Sequence, residues 1–523
     1  MIKLTDRLTW TKLQKHHEQL RAVSLKKLFQ ENPKRFEQFS VTVTDLLIDY
    51  SKNIITQETV DLLCELAVEL KLKEAIKNLF LGEKINISEN KAALHMALRA
   101  PEAESNKAVH VELNRMAKIA EALNQKKLLG YTQKPINTIL HVGMGGSDLG
   151  VRLFDQAMDY QKDISKNAQC YFLTKFDLAD IKAKLKLCNP ETTIVIIASK
   201  SFTTPETMMI YKTIQAWFPD DQKLKSTSQF YAVTEKTERA LAAGFLEDNI
   251  LRIWDWVGGR YSVWSAVNFA NILVYGIEVF KRFLHGAHQM DLHFQHADFK
   301  KNGPVITALL CVWYNNFFHL YSKAIVPYSL HLKLLPAFLQ QLHMESLGKN
   351  VLQNGEKINY PTGQLVWGDI GPNSQHSFHQ LLMQGTQTIP VDFILELHCD
   401  NNKTLNEYDI KRAANCLAQS QTLMQGTSDA KAHQHIEGNR PSTTILIDQL
   451  TPEALGALLA LYEHQVFVQS VMWGINPFDQ WGVEHGKKVA DILINSLSQN
   501  KLPKELDAST MGLLEKIIGR VQK

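Results

Sequence analysis

Five short apolar runs, separated by helical segments, limit what this chain can fold into more than any other feature. They are NTILHV (137–142), CYFLT (170–174), TTIVIIA (192–198), QFYAVT (229–234) and ILRIWD (250–255). A strand that is apolar at nearly every position has both faces covered, and strands joined through helices run parallel. The five runs therefore predict a mainly parallel sheet between helical layers. The pattern resumes with AIVPYS (324–329), QLVWGDI (364–370), TIPVDFILEL (388–397) and TTILIDQ (443–449), again with helical segments between. The chain thus reads as α/β, with two αβα sandwich units built on mainly parallel sheets.

The ends of the chain read differently. VTDLLIDYSKN and DLLCELAVELKLKEAIKNLF carry apolar residues at three- and four-residue spacing, so residues 1–125 are expected to be helical and to pack on the large domain. The expected α/β domains cover 126–285 and 286–523, the second carrying a helical tail from about residue 481, GVEHGKKVADILINSL to GLLEKIIGRVQK.

With 45% apolar residues among 523, the chain can bury large cores. Lys and Arg total 57 against 54 Asp and Glu, a balance that gives no electrostatic case for nucleic acid. Six scattered cysteines (Cys64, Cys170, Cys188, Cys311, Cys399 and Cys416) form no CxxC pair and suit free thiols in a reducing compartment. The start, MIKLTDRLTW, lacks the apolar core of a secretory leader, so a cytoplasmic location is expected. YSVWSAVNFANILVYGIEVF (261–280) contains Ser262, Ser265, Asn268, Asn271 and Glu278, which are costly in lipid; it is expected to be a buried helix, and no membrane partner is expected. His285, His288, His293 and His296 lie close together, but no cysteine or HExxH accompanies them, and they are read as helix and loop histidines rather than metal ligands.

In open parallel sheets ligands sit beyond the carboxyl ends of strands. After the first run comes GMGGSDLG (143–150), which fits an anion site at a helix start or simply a tight turn. Asp148 stands where the dinucleotide fingerprint needs glycine. After the third run comes SKSFTTPET (199–207). A capped helix start accounts for Thr204, Pro205 and Glu206 but not for Ser199, Lys200, Ser201 and Thr203. Hydroxyls and free amides at a helix start suit a phosphate dianion. After the fifth run, WVGGRYSVW turns at Gly258 and Gly259 and presents Arg260, either to stabilise an oxyanion or to form a structural ion pair. Further on, Gln341 precedes Glu345 by one helical turn in QQLHMESLGKN, His376 stands near a helix start, and NPFDQWGVEHGKK supplies Gln480, Glu484 and Lys487.

Taken together, WVGGRYSVWSAV, GINPFDQWGVEHGKK, GMGGSDLG, SKSFTTPET, MESLGK, GPNSQHSFHQLLMQGT and GNRPS resemble, in order, the motifs of the glucose-6-phosphate isomerase (phosphoglucose isomerase) family. The resemblance implies two sugar-isomerase (SIS-type) domains, a homodimer, and interconversion of glucose 6-phosphate and fructose 6-phosphate in glycolysis and gluconeogenesis, with neither metal nor organic cofactor. It implies Glu345 as catalytic base, Arg260 beside the enediolate, and His376 with Lys487 for ring opening, His376 coming from the neighbouring subunit. It places Ser199, Lys200, Ser201 and Thr204 on the phosphate, Gly146 and Ser147 along the sugar, and Gln341 and Gln480 as further contacts. Leu347 departs from the family's usual asparagine, Ser201 from a common threonine and Pro205 from a usual glutamine. Other readings are an isomerase for another phosphosugar, a non-catalytic phosphosugar sensor, and a nucleotide-binding protein. A sensor has no need of Glu345, Arg260, His376 and Lys487 together, and the nucleotide reading lacks a Walker A or dinucleotide pattern.

Overall fold

The computed structural model describes residues 3–103, 106–161, 163–220, 228–398, 404–428, 431–503 and 505–520. Its strands in chain order are β1 (Ser40–Val43), β2 (Leu46–Asp49), β3 (Thr138–Gly143), β4 (Gln169–Leu173), β5 (Thr193–Ala198), β6 (Phe230–Thr234), β7 (Ile250–Arg252), β8 (Ser322–Tyr328), β9 (Leu365–Gly368), β10 (Val391–His398) and β11 (Ser442–Gln449). Every one of the nine apolar runs carries a strand, β3 to β11. All positions of β3, β5 and β6 are buried, as continuous apolar strands require when both faces are covered.

The first sheet is parallel throughout, in the order β4-β3-β5-β6-β7. From β3 the chain first adds β4 on one side and then β5 on the other, so the winding reverses between β3 and β5. A crevice opens at such a reversal, above the carboxyl ends of both strands. The second sheet has the order β1-β2-β11-β10-β8-β9, with β8 to β11 parallel. The fold is α/β with two mainly parallel sheets.

Two local expectations fail. The stretch 43–53 is not helical, because β1 and β2 form an antiparallel hairpin and β2 pairs antiparallel with β11. The hairpin turns at Thr44 with φ +52°, without the glycine or asparagine that usually marks such a turn. Nor is 261–280 one helix: short turns Gly259–Tyr261 and Ala266–Asn268 lead to a helix Phe269–Tyr275, which Gly276 breaks. Gly276 has φ +87°, a conformation open to glycine and costly for other residues, and a new helix runs Ile277–His296. The segment is buried as expected. Among the described residues no helix is long and apolar enough to cross a membrane.

Five cysteines are free thiols, and Cys399 lies outside the described residues. The four clustered histidines all lie on the helix Ile277–His296, where His293 Nε2 accepts the Gly303 amide at 3.1 Å. The chain divides into two compact units, Met1–Pro477 and Phe478–Lys523. The second consists of a turn at Trp481–Val483 and helices Glu484–Gln499 and Ala508–Ile518.

Candidate active site

The loop after β3 and the loop after β7 interlock. A Cβ on Gly146 would lie 2.2 Å from the Gly259 carbonyl and 2.7 Å from the Arg260 nitrogen, so only glycine allows this approach. Ser262 Oγ donates to the Gly259 carbonyl at 2.7 Å and lies 3.3 Å from the Gly146 carbonyl. Beneath the turn, His141 Nε2 donates to the Ser147 carbonyl at 2.9 Å, and burial lowers the pKa of this imidazole, which favours the neutral ring. Ser147 itself is half-buried at the loop.

The loop after β5 keeps its hydroxyls close together. Ser199 Oγ lies 3.4 Å from Thr204 Oγ1 and accepts the Phe202 amide at 3.2 Å. Ser201 Oγ accepts the Thr203 hydroxyl at 2.9 Å. Thr204 occupies the N-cap position of the helix Pro205–Trp217, but its hydroxyl caps none of the helix amides. Hydroxyls beside free amides of a helix N-terminus can receive an anion. Phe202 has φ +53° and its ring packs edge-on against Phe245, which anchors the loop in the core below. The Lys200 side chain takes another direction: Nζ donates to the Asp255 and Val257 carbonyls at 3.0 and 2.7 Å and lies 3.7 Å from Glu235. Burial lowers the pKa of this ammonium, and Glu235 opposes the shift.

The carboxylate comes from the other half of the unit, beyond β8. A helix Leu335–Gln340 widens into a π-helical turn, Gln341–Glu345, the kind of irregular turn frequent at functional sites. That turn puts Gln341 Nε2 2.9 Å from Glu345 Oε2, while Arg260 Nη1 lies 3.1 Å from Glu345 Oε1. Each carboxylate oxygen thus has its own donor. The Gly145 backbone faces the Gln341 amide, since a Cβ there would sit 3.1 Å from Gln341 Nε2. So Gly146, Arg260, Gln341 and Glu345 converge.

Arg260 is almost completely buried and held from behind. Its Nε donates to Ser346 Oγ at 2.7 Å, and Nη2 donates to the Pro477 carbonyl at 2.6 Å. Tyr261 Oη lies 3.1 Å from Ser346 Oγ, and the tyrosine ring stacks on His95 at 4.6 Å. Farther in, Arg99 pairs with Asp291 and with Glu463, and Trp264 Nε1 donates to Glu463 at 2.8 Å. Sequence reasoning missed Ser346, Tyr261 and this buried cluster. Adjacency to Glu345 and Arg260 was the available signal for the first two; nothing pointed to the third.

His376 is exposed and lies between the short helices Gly371–Gln375 and His379–Gln384, near the start of the second. Among the described residues its ring has no hydrogen-bond or ion-pair partner. In the second unit, Lys487 is exposed with Nζ 2.6 Å from Glu484, and Gln480 precedes the turn Trp481–Val483. Leu347, the departure two residues after Glu345, buries its side chain almost completely.

The model of the family Phosphoglucose isomerase matches residues 49–514. The chain belongs to that family. Glucose-6-phosphate isomerase of Pseudomonas savastanoi pv. phaseolicola is 41% identical over 98% of this chain and 97% of its own length. Its counterpart from Marinomonas sp. is also 41% identical, over 98% of both chains. The crystal structure of a glucose-6-phosphate isomerase from Chlamydia trachomatis superposes with a TM-score of 0.87 at 29% identity, covering 99% of this chain and all of that one. A hypothetical protein from Thermus thermophilus shares the fold at TM-score 0.64 and 21% identity, over 83% of this chain and 96% of its own. The phosphoglucose isomerase match begins at the end of β2, takes in β3 to β11, and includes all the loops described above.

Proposed function

We propose that this chain is an aldose–ketose isomerase that interconverts glucose 6-phosphate and fructose 6-phosphate through a cis-enediolate, as its glucose-6-phosphate isomerase relatives are named for doing. One observation carries the catalytic assignment: Glu345 has one oxygen on Arg260 and the other on Gln341, beside the loops that follow β3 and β7. Isomerisation requires a base that takes the C2 proton of the open-chain aldose and returns it to C1. A fixed carboxylate facing both carbons can do both. The negative charge that develops on the enediolate oxygen is stabilised by Arg260, which stays charged throughout. Ser199, Ser201, Thr204 and the amides of their loop hold the phosphate, and binding at that remote end keeps the sugar over the carboxylate. Ser147 and Gly146 line the sugar, with Gln341 and Gln480 as further contacts. Ring opening needs an acid for the ring oxygen and a base for the hydroxyl; we assign these to His376 and Lys487.

We further propose a cytoplasmic homodimer in which His376 acts in the neighbouring subunit's site. Its exposure and its lack of a partner among the described residues support that reading. The division into residues 1–125, 126–285 and 286–523 is likewise proposed, and its second boundary falls within the helix Ile277–His296.

The test is a coupled assay converting fructose 6-phosphate to glucose 6-phosphate with chelator present, repeated in deuterium oxide. Turnover with solvent deuterium at C2 of the product is expected. No turnover would refute the isomerase reading; deuterium at C2 shows proton transfer through a group that exchanges with solvent.

A further inference from the structure

The serine/threonine loop carries an ammonium that points away from its own hydroxyls. Lys200 Nζ donates to two acceptors, the carbonyls of Asp255 and Val257 at 3.0 and 2.7 Å, and has the Glu235 carboxylate 3.7 Å away as its ion-pair partner. The two carbonyls alternate along the segment that runs from β7 into Gly258, Gly259 and Arg260. The backbone of Lys200 is fixed as well, since its carbonyl accepts the Thr234 hydroxyl at 3.0 Å and the Glu235 amide at 3.2 Å. Beyond the segment, the Gly259 carbonyl is wedged against Gly146, and Arg260 reaches Glu345 at 3.1 Å. A continuous set of short contacts therefore runs from the first hydroxyl loop to the guanidinium.

We propose that the Lys200 ammonium is a positioning group rather than a phosphate ligand: it ties the serine/threonine loop to the backbone that carries Arg260, so that anion binding at the loop fixes the guanidinium. The proposal rests on the phosphate and Arg260 roles given above. Half-buried in this bracket, the ammonium spends its charge on carbonyl dipoles and Glu235. Phosphate recognition is left to the hydroxyls and amides.

The test separates phosphate binding from turnover, using fructose 6-phosphate as substrate and inorganic phosphate as competitive inhibitor. For Lys200→Met, kcat is expected to fall about 10- to 100-fold with KM and the phosphate inhibition constant within about 3-fold of the parent. Lys200→Arg, which keeps a donor for the carbonyls, should recover part of kcat. The double variant Ser199→Ala/Thr204→Ala should weaken phosphate inhibition. If Lys200→Met weakens phosphate inhibition as that double variant does, or leaves kcat unchanged, the positioning role is wrong. If the double variant leaves phosphate inhibition unaltered, the reading of the loop itself fails and the coupling to anion binding fails with it. Should Lys200→Met not fold, the unaltered enzyme gives a second readout. Inorganic phosphate should slow hydrogen exchange at the amides of residues 255–260, and unchanged exchange there would overturn the proposal.

Discussion

Ser346→Ala is the sharpest probe of how the base and the guanidinium are held. Ser346 Oγ is fully buried, accepts Arg260 Nε at 2.7 Å and sits 3.1 Å from the Tyr261 hydroxyl. Tyr261 retains a second neighbour, the Pro477 carbonyl at 3.4 Å, so the arginine bears most of the loss. A hydrogen bond to a charged group is worth about 1.5–3 kcal/mol, and stability should fall by about that amount. The guanidinium stays tethered through Nη2 to the Pro477 carbonyl at 2.6 Å and swings about that point. A displacement on the order of 1 Å at a reacting group costs up to about 10²-fold. We therefore expect kcat to drop about 10- to 100-fold, equivalent to about 1.4–2.7 kcal/mol in the barrier. Inhibition by inorganic phosphate should not change, because Ser346 stands on the π-helical side of the site. Steady-state kinetics, phosphate inhibition and denaturant midpoints measured together decide the matter. A variant that loses stability yet keeps kcat within about 2-fold of the parent would show that Arg260 orientation does not limit the reaction.

Three further outcomes follow from the same geometry. Glu345→Gln keeps an amide oxygen for Arg260 and should fold, while losing at least about 10²-fold in kcat; near-normal turnover would remove Glu345 as the base. Gly146→Ala would place a methyl 2.2 Å from the Gly259 carbonyl, so it should cost about 1–3 kcal/mol of stability and reduce activity; a crystal structure with the loops unmoved would contradict this. Acidification should destabilise the fold through His343, which donates Nδ1–H to the Leu339 carbonyl and whose pKa is pushed from 6.5 to about 4, first by burial and then by Lys323. The unfolded chain takes this proton more readily, so stability is lost as pH falls below 6.5 and the loss levels off near 4. At pH 5 the loss is about 2 kcal/mol, and the stability gap between the parent and His343→Gln should narrow by that much from pH 7.5 to pH 5; a constant gap would show that His343 is not held neutral.

The strands were legible because burial on both faces leaves an unmistakable apolar run, and β3 to β11 follow from it. The β1–β2 hairpin was not. Four-residue strands carry little pattern, the turn at Thr44 lacks a glycine, and the partner strand β11 lies almost 400 residues away. The loops were legible as candidates, because Ser199, Thr204, Arg260 and Glu345 are residue types that phosphate binding and proton transfer would use. Their relations were not. Lys200 reads as a phosphate ligand beside two serines, and only the fold reveals that its four-carbon stem reaches the carbonyls of residues 255 and 257. The buried set of Arg99, Asp291 and Glu463 was equally invisible, since its members are scattered over more than 350 residues.

The site is split between two sheets, and this decides what its precision depends on. The hydroxyl loop, the glycine loop and Arg260 follow β5, β3 and β7 of the first sheet, whereas Gln341, Glu345 and Ser346 follow β8 of the second. The contacts of Arg260 with Glu345 and Ser346 therefore bridge the two halves, at 3.1 and 2.7 Å. An exposed ion pair would bridge them weakly, because water competes and the side chains must be ordered. Here Arg260 is 4% exposed and its guanidinium also donates to the Pro477 carbonyl, so a small shift between the halves breaks several short contacts together instead of stretching one. In the proposed reading, phosphate held by the first sheet's loops fixes one end of the sugar relative to Glu345, anchored on the second. The distance between them is set by packing across the unit rather than by either loop alone. That is why substitutions which loosen this packing far from the crevice should act on kcat before they act on phosphate binding.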